Sequence, residues 1–129
     1  MRKIQFRGKC SHCDAWAYGS LVDFGEDEAP EIHGFDPYRE GDERWREITV
    51  DRDTIGQFTG LKDKKGNEIF EGDWILLEGV GVFNVRYSTS MCQFGLYGER
   101  GFVDALKELQ ADRYEVVGNI VSGHGKQRQ

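Results

Sequence analysis

Cys10 and Cys13 are the residues in this chain whose type and spacing most plainly offer chemistry. Two thiolates separated by two residues can share one Zn²⁺ in a tight knuckle, or can cycle between dithiol and disulfide. A structural zinc site needs four ligands, and the sequence has no second Cys-x-x-Cys. Cys92, His12, His33 and His124 would have to complete it from scattered positions, with His12 lying inside the knuckle itself. A thioredoxin-like pair belongs at a strand-to-helix junction of an α/β fold, which the flanking residues do not supply. The favoured reading is therefore two turn cysteines, with metal binding second and redox chemistry third. Cys10 and Cys13 stand as the metal candidates behind that reading, and no cofactor is expected.

Other constellations say less. No nucleophile elbow, P-loop or dinucleotide fingerprint is present, and Gly79-Val80-Gly81 reads as a hairpin turn with no helix behind it. Cys92, next to Met91, reads as a small buried hydrophobe. Neighbouring carboxylates occur at Glu26-Asp27-Glu28 and at Asp42-Glu43, but a hydrolase would need a cleft and shifted pKa values, and a solvated acidic loop is the simpler account. No catalytic residue is assigned, and an enzyme is the least supported class.

Charge separates the remaining classes. The net charge is −6, and residues 23–53 carry twelve acids against four bases. An acidic chain has no general attraction for nucleic acid. Arg2, Lys3, Arg7 and Lys9, with Lys62, Lys64 and Lys65, offer a basic surface for a nucleic-acid-binding small barrel. The favoured alternative is that they solvate an edge strand and a turn tip. The acidic run raises a further idea, mimicry of nucleic acid by an acidic inhibitor of a host DNA-binding protein.

These residues need elements to hold them. With 129 residues, 38% of them hydrophobic, the chain is long enough for one domain with a real core. Seventeen glycines against two prolines suggest many tight turns between short strands. Residues 2–9 alternate, and Trp16, Tyr18, Leu21 and Val22 suggest the second arm of an N-terminal hairpin. Gly25 to Gly41 reads as a long acidic connection with a short strand near Glu31-Ile32-His33, and Trp45 to Val50 as another strand. Asp63 to Asn67 and Gly72-Asp73 are turns, Trp74 to Leu77 a strand, and Phe83, Val85 and Tyr87 one face of the next. Phe102, Leu106 and Leu109 have helical spacing, so one short helix is expected near 102–110. Tyr114 to Val121 reads as a last strand and 122–129 as a frayed tail. The expectation is a mainly β chain: an N-terminal hairpin and acidic connection over 1–53, then a small SH3-like barrel with one short helix over 54–121. No run approaches the roughly 20 apolar residues of a membrane span. No signal peptide is evident and the cysteines are few, so a cytoplasmic protein is expected.

Three stretches resemble the YopX family of phage and prophage proteins. They are the opening Met1 to Lys9 with Tyr18-Gly19-Ser20-Leu21, the central run Thr54 to Asp63 continued by Gly66 to Asp73, and Glu115-Val116-Val117-Gly118-Asn119-Ile120. Cys10-Ser11-His12-Cys13 departs from the polar hairpin turn of similar proteins. The resemblance implies a mainly β fold, an accessory role in phage or prophage through binding or assembly, a homo-oligomer, and a phage or host protein as partner. It carries over no catalytic residue and no cofactor. The recurring Gly and Asp positions of the central run have a sufficient explanation in turn geometry.

Overall fold

The computed structural model describes residues 2–35 and 45–120. His124, Asp42, Glu43, the 122–129 tail and the middle of the acidic connection lie outside the described residues. The strands are β1 (Phe6–Lys9), β2 (Trp16–Val22), β3 (Glu31–Phe35), β4 (Trp45–Thr49), β5 (Gly56–Lys62), β6 (Glu68–Phe70), β7 (Asp73–Leu77), β8 (Gly81–Ser88), β9 (Gln93–Gly98), β10 (Gly101–Ala105) and β11 (Tyr114–Asn119). Two short 3-10 segments, Arg52–Thr54 and Glu108–Arg113, account for the helical residues.

The chain forms two compact units, Met1–Phe58 and Thr59–Gln129. In the first, the strand order is β4-β3-β2-β1-β5, all antiparallel where the register is defined. Its core is Ala17, Ile32 and Val50, with Phe6, Leu21, Ile48 and Ile55 packed around them. Gly8 is required here because a Cβ would lie 2.8 Å from the Val50 side chain. β1 is an interior strand, not the expected edge: it pairs with β2 on one side and β5 on the other. Arg7 is accordingly buried, with its guanidinium 4.6 Å from the Trp16 ring centroid.

In the second unit the strand order is β10-β9-β8-β7-β11, and the end of β5 pairs with β6. Ile69, Ile75, Leu77, Val85, Leu96 and Tyr114 form its core. The family-like central run supplies the turns that hold this unit. Asp63 accepts hydrogen bonds from the backbone N–H groups of Lys65, Asn67 and Val116 at 2.8–2.9 Å. Gly66 and Gly72 take φ of 86° and 95°, which glycine alone adopts without strain. Asp73, 1% exposed, accepts from the Phe70 N–H at 2.8 Å.

The mainly β expectation holds, and one element of it is corrected. No closed barrel is found among the described residues; the ladders form two antiparallel sheets. The short helix expected near 102–110 is replaced by strand β10 and the 3-10 segment Glu108–Arg113. The physical reason lies in the preceding turn. Gly101 at φ 102° returns the chain beside β9, where Phe102 pairs with Tyr97 and its ring covers Gly95. An aromatic followed by the β-branched Val103 suits that pleated surface better than a helix. Leu109, meant for the buried helical face, is 94% exposed.

Candidate functional site

A groove of about 810 Å³ lies over β7, β8, β9 and β10 of the second unit. Its floor follows from strand alternation. Asp73, Ile75 and Leu77 turn inward on β7, so Trp74 and Leu76 take the other face. Register then sets Asn84 opposite Trp74, Tyr97 opposite Asn84, and Phe102 opposite Tyr97. The result is a row across four strands, ending in an edge-to-face contact between Tyr97 and Phe102 with centroids 5.5 Å apart.

The polar groups of the groove are set unequally. Asn84 is buried and fully engaged. Its Nδ2 donates to the Gly72 and Asp73 carbonyls at 3.0 and 3.1 Å, and its Oδ1 accepts from Arg86 Nε at 2.9 Å. That last bond fixes the root of the exposed Arg86 guanidinium. Arg100, at the β9–β10 turn, also lines the groove and has no ion pair among the described residues. Trp74 Nε1 is a buried donor without an acceptor among the described residues. An unmet buried N–H costs roughly 1–3 kcal/mol, so the indole is set to gain from any ligand that brings an acceptor. Rings, two guanidiniums and an open indole N–H suit binding; no nucleophile stands beside a base here.

The residues singled out in sequence fall elsewhere. Cys10 and Cys13 are joined as a disulfide across the β1–β2 turn, with Cα atoms 5.3 Å apart. Among the described residues no histidine, carboxylate or third cysteine joins them as a ligand group. Cys92 is exposed at φ 53°, in contrast to the buried position expected of it. His33 stands with Glu31 on its own strand, Nε2 to Oε1 at 3.0 Å.

The expected basic surface is divided among local partners. Lys9 reaches Asp14 at 3.0 Å and lies 5.5 Å from the Trp16 ring centroid. Lys64 and Lys65 both pair with Glu115 at 3.3 Å, and hydrogen bonds from Lys64 and then Lys65 hold that carboxyl below its ordinary range. On the acidic side, Arg52 grips Asp23 with both guanidinium nitrogens at 3.1 and 3.2 Å and donates to the Gly25 and Glu28 carbonyls. This clamp holds the turn on which Glu26, Asp27 and Glu28 are exposed.

Sequence reasoning missed the groove because it is assembled from four strands. The one signal available was the alternation of Trp74 with its neighbours and of Asn84 and Arg86 with theirs. Among the described residues no helix is long and apolar enough to cross a membrane. No curated protein matches the sequence. The family model of the YopX proteins matches residues 5–122, nearly the whole of the 129-residue chain, and the chain belongs to that family.

Proposed function

We propose that this chain is a phage or prophage accessory protein that acts by binding, and that the groove over β7–β10 holds an extended segment of a partner protein. The observation that carries this reading is the buried Trp74 Nε1 donor, which lacks an acceptor among the described residues and borders a ring-lined groove. A partner's backbone carbonyl would satisfy it, while acidic side chains would meet Arg86 and Arg100 at the rim. The cytoplasm and a homo-oligomeric state remain part of the proposal. The SH3-like comparison survives only as the general idea of a curved sheet that offers a groove.

Affinity capture of tagged full-length protein from a bacterial host lysate, with and without nuclease, tests the reading against variants of the groove. Arg100→Glu reverses an exposed charge and Trp74→Phe removes the donor while keeping a ring. One protein retained after nuclease with the unaltered chain, and lost with both variants, is the expected result. Equal recovery with the variants sends the partner elsewhere on the molecule.

A second reading has its own observation. Guanidiniums beside Trp74 and Tyr97 are also what stacked bases and phosphates need, so single-stranded nucleic acid is the alternative occupant. Recovery that vanishes on nuclease treatment would establish it. The clamped acidic turn at Glu26 to Glu28 keeps alive the reading as an inhibitor of a host DNA-binding protein. There, binding would be salt-sensitive and indifferent to Trp74.

A further inference from the structure

We infer that Glu31, His33 and Glu47 form a binding site for a divalent first-row transition-metal ion on the first unit. Glu31 and His33 are two residues apart on β3 and so share a face, while register places Glu47 on β4 directly opposite His33. The parity of this arrangement is fixed by the core. Ile32 lies between Glu31 and His33, is fully buried, and pairs with Leu21 and Ile48. A slip of one residue would bury both carboxylates and the imidazole.

Two glycines pin the strand beneath the site. A Cβ at Gly19 would fall on the His33 carbonyl, and one at Gly34 on the Tyr18 carbonyl. The backbones of β2 and β3 therefore approach closely at the position that carries the imidazole. The ligand atoms of the three side chains all lie within 4.8 Å of one another, and His33 Nε2 and Glu31 Oε1 are 3.0 Å apart. Two ligands of a tetrahedral Zn²⁺ are about 3.4 Å apart at bond lengths near 2.1 Å. Side-chain rotation would have to bring the three atoms from within 4.8 Å to that spacing.

Charge points the same way. The His33 and Glu31 side chains are only 24% and 26% exposed, so this pair is partly withdrawn from water, while Glu47 closes the cluster from the exposed side. Among the described residues neither Glu31 nor Glu47 meets a lysine or arginine; the one polar partner of Glu31 is the His33 ring. A divalent cation would neutralise two carboxylates that nothing else described does. One imidazole nitrogen with carboxylate oxygens suits Zn²⁺, Co²⁺, Ni²⁺ or Mn²⁺; soft ions want thiolates and Ca²⁺ wants oxygen alone. Three protein ligands leave a coordination position to water, and the ion would tie β3 to β4.

Co²⁺ titration of chelator-treated full-length protein, followed by visible absorption, tests the site. Binding near one ion per chain is expected, with d–d bands and no sulfur-to-cobalt charge-transfer band. His33→Ala and Glu47→Gln, both at surface positions and checked for folding by circular dichroism, should each weaken binding at least about tenfold. The Cys10→Ser/Cys13→Ser and His124→Ala variants should bind as the parent does. Zn²⁺ should raise the melting temperature of the parent and not of His33→Ala. Binding unchanged in His33→Ala, a charge-transfer band lost with the cysteines, or no binding at millimolar Co²⁺ would each overturn the assignment.

Discussion

Asp63 shows what a single side chain of the central run contributes. Burial by itself would raise its pKa, but hydrogen bonds from Val116 and Asn67 and the Lys65 N–H outweigh that and hold the carboxyl below its ordinary value. A carboxyl depressed in the folded chain stabilises it above the unfolded pKa, and that stabilisation is lost as pH falls through the folded value. Urea unfolding at neutral and acidic pH should therefore show Asp63→Asn costing roughly 2–3 kcal/mol at pH 7, and less as the parent's own Asp63 protonates. A constant difference across pH would assign the cost to shape and not to charge. Asn84 makes a second case, because its amide ties the Gly72 and Asp73 carbonyls while fixing Arg86. Asn84→Ala removes the side-chain donor to both carbonyls, leaving Gly72 only the Ile120 N–H, and should cost about 1–2 kcal/mol in the same measurement. At this scale the sequence was informative for turns, since Gly66 and Gly72 take the positive φ or turn role expected of them. It misled at Cys92, where residue type suggested burial and the turn holds the thiol in solvent.

Elements were legible where the signal was local. Trp16, Tyr18, Leu21 and Val22 marked β2, and the short strand near Glu31 emerged as β3. The helix at 102–110 failed because spacing was weighed without the Gly98–Gly101 turn, which commits Phe102 to pairing with β9. Long-range strand pairing was not legible at all: β1 with β5, and β7 with β11, pair across long stretches of chain that no local pattern encodes. The same holds for the proposed metal cluster, since Glu47 meets His33 only through the β3–β4 register. The β9–β10 hairpin offers a test of how tightly such an element is built. A Cβ at Gly95 would run into the Phe102 ring, which is itself stacked edge-on against Tyr97. Gly95→Ala should push the ring off the strand and cost about 1–3 kcal/mol. In a Phe102→Ala background the same change should cost at least about 0.5 kcal/mol less, because the two residues are in contact. Additive effects in this double-mutant cycle would mean that the neighbouring Asp104 carbonyl, 3.3 Å from the added methyl, sets the cost.

For the molecule as a whole, the informative contrast is between the two cores. Among the described residues the first unit buries Ile32, Val50, Phe58 and the small Ala17, whereas the second buries seven large side chains including Phe70 and Tyr114. Each large apolar side chain contributes about 1.5–3 kcal/mol on burial, and the partly buried residues around the two cores are similar in kind and number. Among the described residues the second unit therefore has an apolar advantage of several kcal/mol, before chain entropy reduces it. Within it, β8 is flanked by β7 and β9 and carries the fully buried Val85, so its amides have the most cooperative protection. Native-state hydrogen exchange should then find the slowest amides at Ile75, Val85 and Leu96, exchanging only on global opening. Amides of β2 around Ala17 should exchange through an opening of lower free energy, while those of β4 and β10, at the sheet ends, exchange fastest. Zn²⁺ gives this pattern a second use. If the ion binds at Glu31, His33 and Glu47, it should slow exchange in β3 and β4 selectively and leave Val85 unchanged, because a ligand protects only against openings that destroy its site. Equal protection of Ala17 and Val85 without metal would instead mean that the two cores open together, despite their unequal content.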